Sequence, residues 1–280
     1  MNNDSANSKS PVLRVCELSR SYRRKGAPWQ RAHAIEAASH VNFEIFAGQT
    51  LALVGTSGSG KSTVARCVSR LERPDAGEIW LNGTDIAQLE SNDLAPFRQI
   101  CQMVFQDAAT SINPRSTAAE VIEEPLVIQQ LGNKRERRQR VQELMREVGL
   151  SPDSVDRLGM EFSGGQQQRL AIARALAPKP SVLILDEALS GLDLSTEAHI
   201  ANLLLDLQSA HALAYLLISH DLALVARLAD TIAVMANGKI VEQGPTPQVI
   251  RHPTTPETRS LVAATESARV RLTAAMGMAP

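Results

Sequence analysis

The stretch Gly55-Thr56-Ser57-Gly58-Ser59-Gly60-Lys61-Ser62-Thr63 follows the short apolar run Leu51-Ala52-Leu53-Val54 and precedes Val64-Ala65-Arg66. Its glycines permit backbone conformations that other residues avoid, so successive N–H groups can point into one concavity. A helix that starts near Lys61 would add its positive amino-terminal end to that concavity. The stretch therefore predicts a strand, a loop and a helix, with the loop shaped to hold a phosphate chain.

The same stretch matches the P-loop pattern Gly-x-x-x-x-Gly-Lys-Ser/Thr in the strand, loop and helix context that the pattern requires. Lys61 would reach the β- and γ-phosphates of a nucleotide, and the hydroxyl of Ser62 would ligate a Mg²⁺ ion shared with them. The alternative, a flexible turn rich in glycine and serine, is disfavoured by the flanking strand and helix. The predicted phosphate-binding residues are Gly55, Ser57, Gly58, Ser59, Gly60, Lys61, Ser62 and Thr63.

Length, composition and charge indicate a globular protein and argue against several other classes. The chain has 280 residues, of which 44% are hydrophobic, enough for one large domain or two small ones with a sizeable core. A formal net charge of -1 provides no general basic field for nucleic acid or an anionic membrane. Cys16, Cys67 and Cys101 are far apart, which argues against a disulfide framework, a zinc site or an iron–sulfur cluster. The polar residues 1–10 lack the apolar core of a signal peptide, and no stretch is apolar for long enough to span a bilayer.

Apolar runs bounded by turn signals predict the strands. Residues 12–18 alternate as a half-buried strand does, and Asn82-Gly83 and Asn237-Gly238 predict hairpin turns between short strands. The continuous apolar runs at 181–185 and 215–218 are typical of parallel strands buried on both faces. Together these patterns predict a mixed α/β chain with both antiparallel and parallel pairing.

A helical period replaces the strand pattern from Ser116 to about Ala177, which predicts a helical insert within a strand-rich domain. Ser163-Gly164-Gly165-Gln166 opens the last helix of this region, with Ser163 placed as its N-cap. A helix start with free N–H groups is a second potential phosphate site, although taken alone it would be only an N-cap. The basic run at 134–140 is most simply a solvated helix face.

Polar residues follow three of the predicted strands. Gln106 follows the apolar run at 100–105, Asp186-Glu187 follow the run at 181–185, and His220 follows the run at 215–218. A single histidine is usually structural, but in open α/β sheets ligands bind at the carboxyl ends of the strands. Two adjacent acids at such a place are hard to explain structurally. Tyr22, a lone aromatic after the first strand, is as consistent with ordinary surface or core as with a base-stacking platform.

In this order, the motifs resemble those of the nucleotide-binding subunit of ABC transporters. The resemblance covers roughly residues 11 to 262 and depends on the signature Ser163–Gln166, between the P-loop and Asp186-Glu187, and on Ser190-Gly191-Leu192-Asp193. It implies an α/β fold of the P-loop NTPase class, a RecA-like core with an antiparallel β subdomain, plus an inserted α-helical subdomain. The expected domains are a disordered tail at 1–10, an ATPase domain at 11–250 with its helical insert at about 107–177, and a C-terminal extension at 251–280.

The resemblance implies ATP and Mg²⁺ as cofactors and a role for each site residue. Tyr22 would stack on adenine, and Asp186 would hold the metal through water. Glu187 would polarise the attacking water, Gln106 would contact the metal or that water, and His220 would touch the γ-phosphate. The expected catalytic residues are thus Glu187, His220, Lys61 and Gln106, and the expected metal-site residues are Ser62, Gln106 and Asp186.

The resemblance also implies partners. In the family the P-loop of one domain faces the signature of another across ATP, so Ser163, Gly164, Gly165 and Gln166 would bind the nucleotide of a second ATPase subunit, identical or paralogous. Transmembrane permease subunits would bind at a groove near residues 106–115 and be driven by ATP hydrolysis. An extracytoplasmic solute-binding protein would be an indirect partner. The expected location is peripheral, at the cytoplasmic face of the inner (plasma) membrane, and no nucleic-acid partner is expected.

Finer features resemble the dipeptide, oligopeptide and nickel uptake branch, notably residues 105–107, 111–115 and 251–261. Phe162 stands where leucine is usual and Glu257 where tyrosine is frequent, and the absence of cysteine after Cys101 predicts no iron–sulfur cluster. The expected function is therefore an ATPase, converting ATP and water to ADP and phosphate, that powers an ABC membrane transporter importing peptides or nickel.

Two other classes of ABC protein are disfavoured. A soluble ATPase acting on nucleic acid or ribosomes would usually carry a coiled-coil insert, zinc cysteines or tandem cassettes, and the sequence has one P-loop and no cysteine pairs. A regulatory subunit that does not hydrolyse ATP would be expected to lack catalytic groups. Lys61, Asp186, Glu187 and His220 are all present.

Overall fold

The computed structural model describes residues 10–23, 34–106 and 108–275. Most of the predicted tail at 1–10 lies outside these residues, as do Asp107 and the last five residues. None of the described helices combines the length and the apolar character needed to cross a bilayer. The strands are β1 Leu13–Arg23, β2 Ala34–Ile45, β3 Thr50–Val54, β4 Ala76–Leu81, β5 Thr84–Asp85, β6 Cys101–Val104, β7 Val182–Asp186, β8 Ala214–Ile218, β9 Thr231–Ala236 and β10 Lys239–Pro245. The α-helices are α1 Lys61–Val68, α2 Ala95–Ile100, α3 Ala108–Ser111, α4 Ala118–Ile128, α5 Lys134–Glu147, α6 Gly164–Leu176, α7 Leu194–His211, α8 Leu222–Leu228, α9 Thr246–Arg251 and α10 Pro256–Ala275.

A six-stranded sheet with the order β10-β9-β3-β8-β7-β6 forms the centre of the fold. All neighbours from β9 to β6 pair in parallel, and β10 returns antiparallel beside β9. Successive side chains of β3 enter different cores: Leu51 and Leu53 pack toward the antiparallel subdomain, and Ala52 and Val54 toward the helices. Burial on both faces explains the continuous apolar runs and confirms the predicted parallel strands. The carboxyl ends of β3, β6, β7 and β8 consequently emerge at one edge.

A four-stranded sheet, with the order β2-β1-β4-β5, covers the other side of α1 and is antiparallel throughout. Its first strand is longer than the prediction of residues 12–18, because β1 continues to Arg23 and places Tyr22 within the strand. The cause is a pair of irregularities. Glu17 and His40 adopt left-handed conformations (φ 51° and 52°), and the register shifts beside Glu17. Such bulges interrupt the side-chain alternation from which the strand was predicted.

The helical insert contains α4, α5 and α6, as its period predicts. Each begins with a capping box, in which the N-cap side chain and the side chain three residues later bond each other's backbone N–H groups. Ser163 is the N-cap of α6, as predicted. The combination of this insert with the parallel core and the antiparallel subdomain confirms the predicted fold class. The domain boundaries at 11–250 and 107–177 stay predictions.

A carboxylate on β10 helps to anchor the start of the C-terminal extension, in which Leu261 and Val262 also pack against the core. Glu242 on β10 accepts hydrogen bonds from the backbone N–H groups of Thr254 (3.0 Å) and Thr255 (3.1 Å) and from the Thr255 hydroxyl (3.2 Å). Burial raises the pKa of Glu242, but hydrogen bonds from Thr258, Thr254 and Thr255 outweigh it and lower the pKa to about 2 from its ordinary 4.5. The ionised carboxylate therefore stabilises the turn that leads into the 20-residue helix α10.

Replacing Glu242 by glutamine is expected to loosen this attachment. Because the folded-state pKa is depressed, the stabilisation is complete above pH 4.5 and is lost as the pH falls toward 2. We expect the variant to lose about 1 kcal/mol of unfolding free energy at pH 7, after allowing for solvent screening. Thermal unfolding at pH 7 and pH 3 measures this, with Glu257→Gln in the first turn of α10 as the control. Equal losses for the two variants at pH 7 would contradict the anchoring role.

Candidate nucleotide-binding site

The P-loop joins β3 to α1 and is pressed against two other strands. An added Cβ on Gly55 would lie 2.1 Å from the carbonyl oxygen of Met235, and one on Gly60 would lie 1.8 Å from that of Ala37. Gly60 is also the N-cap of α1, with φ 107°. Ser57 and Gly58 are exposed at the loop tip, while Ser59 is buried beneath it, so the glycine spacing serves both loop shape and close packing.

The side chain of Lys61 is held inside this loop. Its Nζ donates to the carbonyl oxygens of Gly55 and Thr56, each at 2.9 Å, and to Ser59 Oγ at 3.3 Å. The residue is 6% exposed. Burial lowers the pKa of Lys61, and the negative charges of Glu187 and Asp186 oppose that change. An ammonium group enclosed by a loop at a helix start is the donor arrangement that a phosphate chain requires.

Ser62 and Asp186 meet beside Lys61. The Ser62 hydroxyl donates to Asp186 Oδ1 at 3.1 Å, although the two residues are 124 positions apart. Burial raises the pKa of Asp186, the charge of Glu187 adds to the rise, and the hydrogen bond from Ser62 opposes it. These two oxygens are the hard donors that Mg²⁺ prefers, and an ion held by only two protein oxygens would take its remaining ligands from phosphate and water. The predicted metal-site residues Ser62 and Asp186 therefore fit the ion.

Glu187 and His220 follow β7 and β8 and lie side by side. Glu187 has φ 49°, its N–H donates to Ile218 at 3.0 Å, and its carbonyl accepts from Ser190 N–H (3.0 Å) and Ser190 Oγ (2.7 Å). His220 Nδ1 lies 3.8 Å from Glu187 Oε1. A cavity of about 130 Å³ is lined by both residues and leaves room for water beside the carboxylate.

Gln106 lies at the same edge of the sheet. Val104 of β6 pairs with Leu185 of β7, and Gln106 comes two residues later as an exposed residue near the end of β7, where Asp186 lies. Parallel pairing thus brings the ends of these two strands together. The structure gives Gln106 no hydrogen bond to Asp186 or Glu187 among the described residues.

Tyr22 lies beside the P-loop helix. Its hydroxyl contacts the carboxylate of Glu72 and, at 3.5 Å, the Oγ1 of Thr63, and the guanidinium of Arg20 lies 5.2 Å from its ring centroid. Glu72 also contacts Arg20 (3.8 Å) and Arg66 (3.4 Å). Glu72 is not among the predicted site residues, because no local pattern marks a contact between residues 50 positions apart. Arg20 is two residues before Tyr22 in β1, so strand alternation alone could have placed the two side chains on one face.

The signature Ser163–Gln166 is on the outer surface. Ser163 Oγ accepts from the N–H of Gln166 at 3.4 Å, and Gln166 Oε1 accepts from the N–H of Ser163 at 3.0 Å. Ser163, Gly164 and Gln166 are exposed. In the described part of the chain, no hydrogen bond or ion pair connects the signature with Lys61 or the residues that follow β7. The predicted second phosphate element is therefore separate from the P-loop within one chain.

Replacing Gly165 by alanine is expected to disturb the start of α6. Its Cβ would lie 2.5 Å from Thr196 Cγ2, and the Thr196 hydroxyl is held by Asp193 at 2.6 Å. We expect a loss of about 1–3 kcal/mol of unfolding free energy, the usual cost of overpacking. Gly164→Ala is the matched control, since nothing lies within 4 Å of its added Cβ. Thermal unfolding compares the pair, and equal melting temperatures would show that Thr196 moves aside freely.

Comparison with known proteins gives the same classification throughout. A family profile described as ABC transporter matches residues 38–190. A probable peptide ABC transporter ATP-binding protein, y4tS of Sinorhizobium fredii, is 45% identical over 266 residues, covering 93% of this chain and 75% of that protein. The di/tripeptide transport ATP-binding protein DppF of Pseudomonas aeruginosa is 41% identical over 254 residues, covering 91% of this chain and 79% of that protein.

Longer relatives and solved structures also match. The glutathione import ATP-binding protein GsiA of Salmonella paratyphi A is 45% identical over 255 residues, which are 91% of this chain and 41% of that protein. The chain thus spans less than half the length of GsiA. The dimeric structure of MJ0796, a bacterial ABC transporter cassette, has a TM-score of 0.73 and 29% identity, covering 84% of this chain and 98% of that one. A post-hydrolysis dimer of the same cassette bound to ADP and Pi also has a TM-score of 0.73.

Proposed function

The chain belongs to the ABC transporter family, and from that premise we propose that it is the ATP-hydrolysing subunit of an importer of peptides. The observation that carries the proposal is the convergence of Lys61, Ser62, Asp186, Glu187 and His220 at one edge of the sheet. Relatives named for peptides, di/tripeptides and glutathione favour peptide substrates, and none of those compared is named for nickel. These relatives also favour a transporter subunit over a soluble ATPase acting on nucleic acid or ribosomes.

Each site residue would have a different role in ATP hydrolysis. Transfer of the γ-phosphoryl group to water depends mainly on positioning and charge neutralisation, which the P-loop N–H groups and Lys61 provide. When bound, Mg²⁺ would neutralise phosphate charge, with Ser62 and Asp186 as its protein oxygens. Glu187 would orient and polarise the water, His220 would approach the γ-phosphate, and Gln106 would approach the metal or the water. Tyr22 would support the adenine.

A second ATPase subunit would complete each site. The signature Ser163–Gln166 is exposed and makes no described contact with Lys61, so one chain offers two half-sites. An isologous pair of chains would place each signature against the other chain's P-loop. The dimeric state of the MJ0796 cassette supports this arrangement. The partner would be an identical chain or a paralogous ATPase.

The permease would dock beside the helical insert. A cavity of about 300 Å³ lies between α1, α2, β6, α4 and α6. Its lining includes Phe105, Ile128 and Leu71, whose exposed fractions are 40%, 72% and 60%. Its described lining reaches Phe105 and includes no residue of the expected stretch 106–115, which it adjoins. Exposed apolar side chains around a groove are typical of an interaction surface. We propose that a cytoplasmic helix of the permease binds here, which would place this subunit peripherally at the cytoplasmic face of the membrane. The extracytoplasmic solute-binding protein would contact only the permease.

The test is ATP hydrolysis by the purified chain as a function of its concentration, with ATP binding measured separately. We expect the rate per chain to rise with concentration, because two chains are needed for a complete site. Binding without hydrolysis at every concentration would place the missing half-site on a paralogous subunit. Absence of ATP binding, in a chain shown to be folded by circular dichroism, would contradict the proposed function.

A further inference from the structure

A cleft without an assigned role lies at the other end of the central sheet. Its volume is about 530 Å³, and its lining includes Ala47, Ser181 and Leu213, which shortly precede β3, β7 and β8. The nucleotide residues follow the carboxyl ends of these same strands. The cleft is therefore separated from the nucleotide site by the length of the sheet, and we call it the rear cleft.

Among the described residues, three basic side chains and no carboxylate line the rear cleft: Arg140, Lys179 and His211. Arg140 donates to the carbonyl of Leu176 at 3.1 Å and contacts Glu147 at 3.3 Å and Glu143 at 3.8 Å, yet its buried Nε has no hydrogen-bond partner among the described residues. His211 Nε2 lies 3.1 Å from the other oxygen of Glu147. Glu147 is thus already shared by two of these groups.

Among the described residues that line the cleft, Lys179 is the cation that forms no ion pair. Its side chain is exposed and forms no ion pair or hydrogen bond with the described residues. It lines both the rear cleft and an adjoining cavity of about 450 Å³, whose lining also includes Glu136 and Glu143. Its backbone is restrained, because Pro180 limits the conformations of the residue before it and the N–H of Lys179 donates to the carbonyl of Leu176 at 3.0 Å. A fixed lysine at the rim is available to a ligand anion at little cost in backbone entropy.

Apart from Ser181, the other described lining residues are apolar. Val12, Leu176, Pro180 and Leu213 form an apolar part of the lining beside the cationic groups, so a hydrocarbon group of a ligand would have apolar contacts there. Sites for small molecules typically have volumes of about 300–1,000 Å³ and combine such an apolar lining with a few polar groups that fix orientation. The rear cleft has both features.

We propose that the rear cleft binds an amphipathic anion, a carboxylate on an apolar body, with Lys179 as the principal contact of the carboxylate. Arg140 belongs to α5 of the helical insert, whereas Ser181 and Leu213 belong to the core, so the ligand would bridge the two. Leu176 ends the helix that the signature begins. The inference does not depend on the proposed ATPase function.

Isothermal titration of the intact chain with octanoate tests the proposal, with octanol and octylamine as uncharged and cationic probes of the same chain length. We expect octanoate to bind and the other two to bind at least about tenfold more weakly, because each lacks the charge-assisted contact. Equal binding of octanoate and octanol, or no binding of octanoate, would overturn the proposal.

Two variants locate the binding. Lys179→Gln is expected to weaken octanoate binding about tenfold, while Lys239→Gln, an exposed lysine at the start of β10, is expected to leave it unchanged. Saturating Mg-ATP is expected not to compete, which would distinguish the rear cleft from the nucleotide site. An affinity unaffected by Lys179→Gln, or octanoate displaced by Mg-ATP, would place the anion elsewhere and refute the assignment. Neither variant alters a residue of the nucleotide site.

Discussion

Replacement of Glu187 by glutamine is expected to lower ATP turnover by about 10²–10⁴-fold, the range typical of losing a general base, while ATP binding persists. The change removes a charge but keeps the shape of the side chain. The backbone of residue 187 is held by Ile218 and Ser190 rather than by its own carboxylate, so the turn should stay intact. The His220 ring, 3.8 Å from the carboxylate, would lose only an exposed polar contact.

The measurement is steady-state hydrolysis together with the rise in melting temperature that ATP produces. Binding to the folded state stabilises it, so a retained thermal shift would show that the variant still binds nucleotide. Glu197→Gln is the matched control: Glu197 lines the same 130 Å³ cavity from α7 and forms no ion pair with a described residue. We expect this control to hydrolyse ATP close to the wild-type rate. Undiminished hydrolysis by the Glu187 variant would refute the water-orienting role.

Replacement of Gly60 by alanine is expected to destabilise the fold by about 3–5 kcal/mol, the scale of severe overpacking. The new Cβ would lie 1.8 Å from the carbonyl oxygen of Ala37, and a backbone atom within β2 cannot turn aside as a side chain can. The positive φ of 107° adds strain for any residue with a Cβ. Displacing Gly60, the N-cap of α1, would also move the backbone N–H groups of the P-loop that are expected to bind phosphate.

Gly58→Ala separates these causes. Gly58 lies in the same loop with φ 79°, but nothing lies within 4 Å of its added Cβ, so only the conformational strain of about 1–2 kcal/mol applies. Chemical denaturation of the two variants measures the difference in unfolding free energy. If Gly60→Ala and Gly58→Ala unfold at the same denaturant concentration, the packing of the loop against β2 is not a significant constraint.

Many secondary-structure elements of this protein could be predicted from short stretches of its sequence. Asn82-Gly83 and Asn237-Gly238 predicted hairpins, and both pairs have positive φ between antiparallel strands. Ser163 predicted a helix start because an N-cap needs only the next three residues. The prediction of the first strand was too short, because the irregularities at Glu17 and His40 interrupt the side-chain alternation and concealed the continuation of β1 to Arg23. The 20-residue helix α10 was recognised only in the structure, where Glu242 accepts hydrogen bonds from the turn that precedes it.

The sequence by itself determined the elements, the phosphate loop and the residue types of the candidate site, because capping, turn chemistry and hydrophobic period act over a few neighbouring residues. Only the tertiary structure decided which distant groups meet. Ser62 reaches Asp186 across 124 residues because β3 and β7 flank β8 in one parallel sheet. It also decided that Gly60 abuts Ala37, that Glu72 contacts Tyr22 and that the rear cleft exists, since such contacts depend on how whole elements pack.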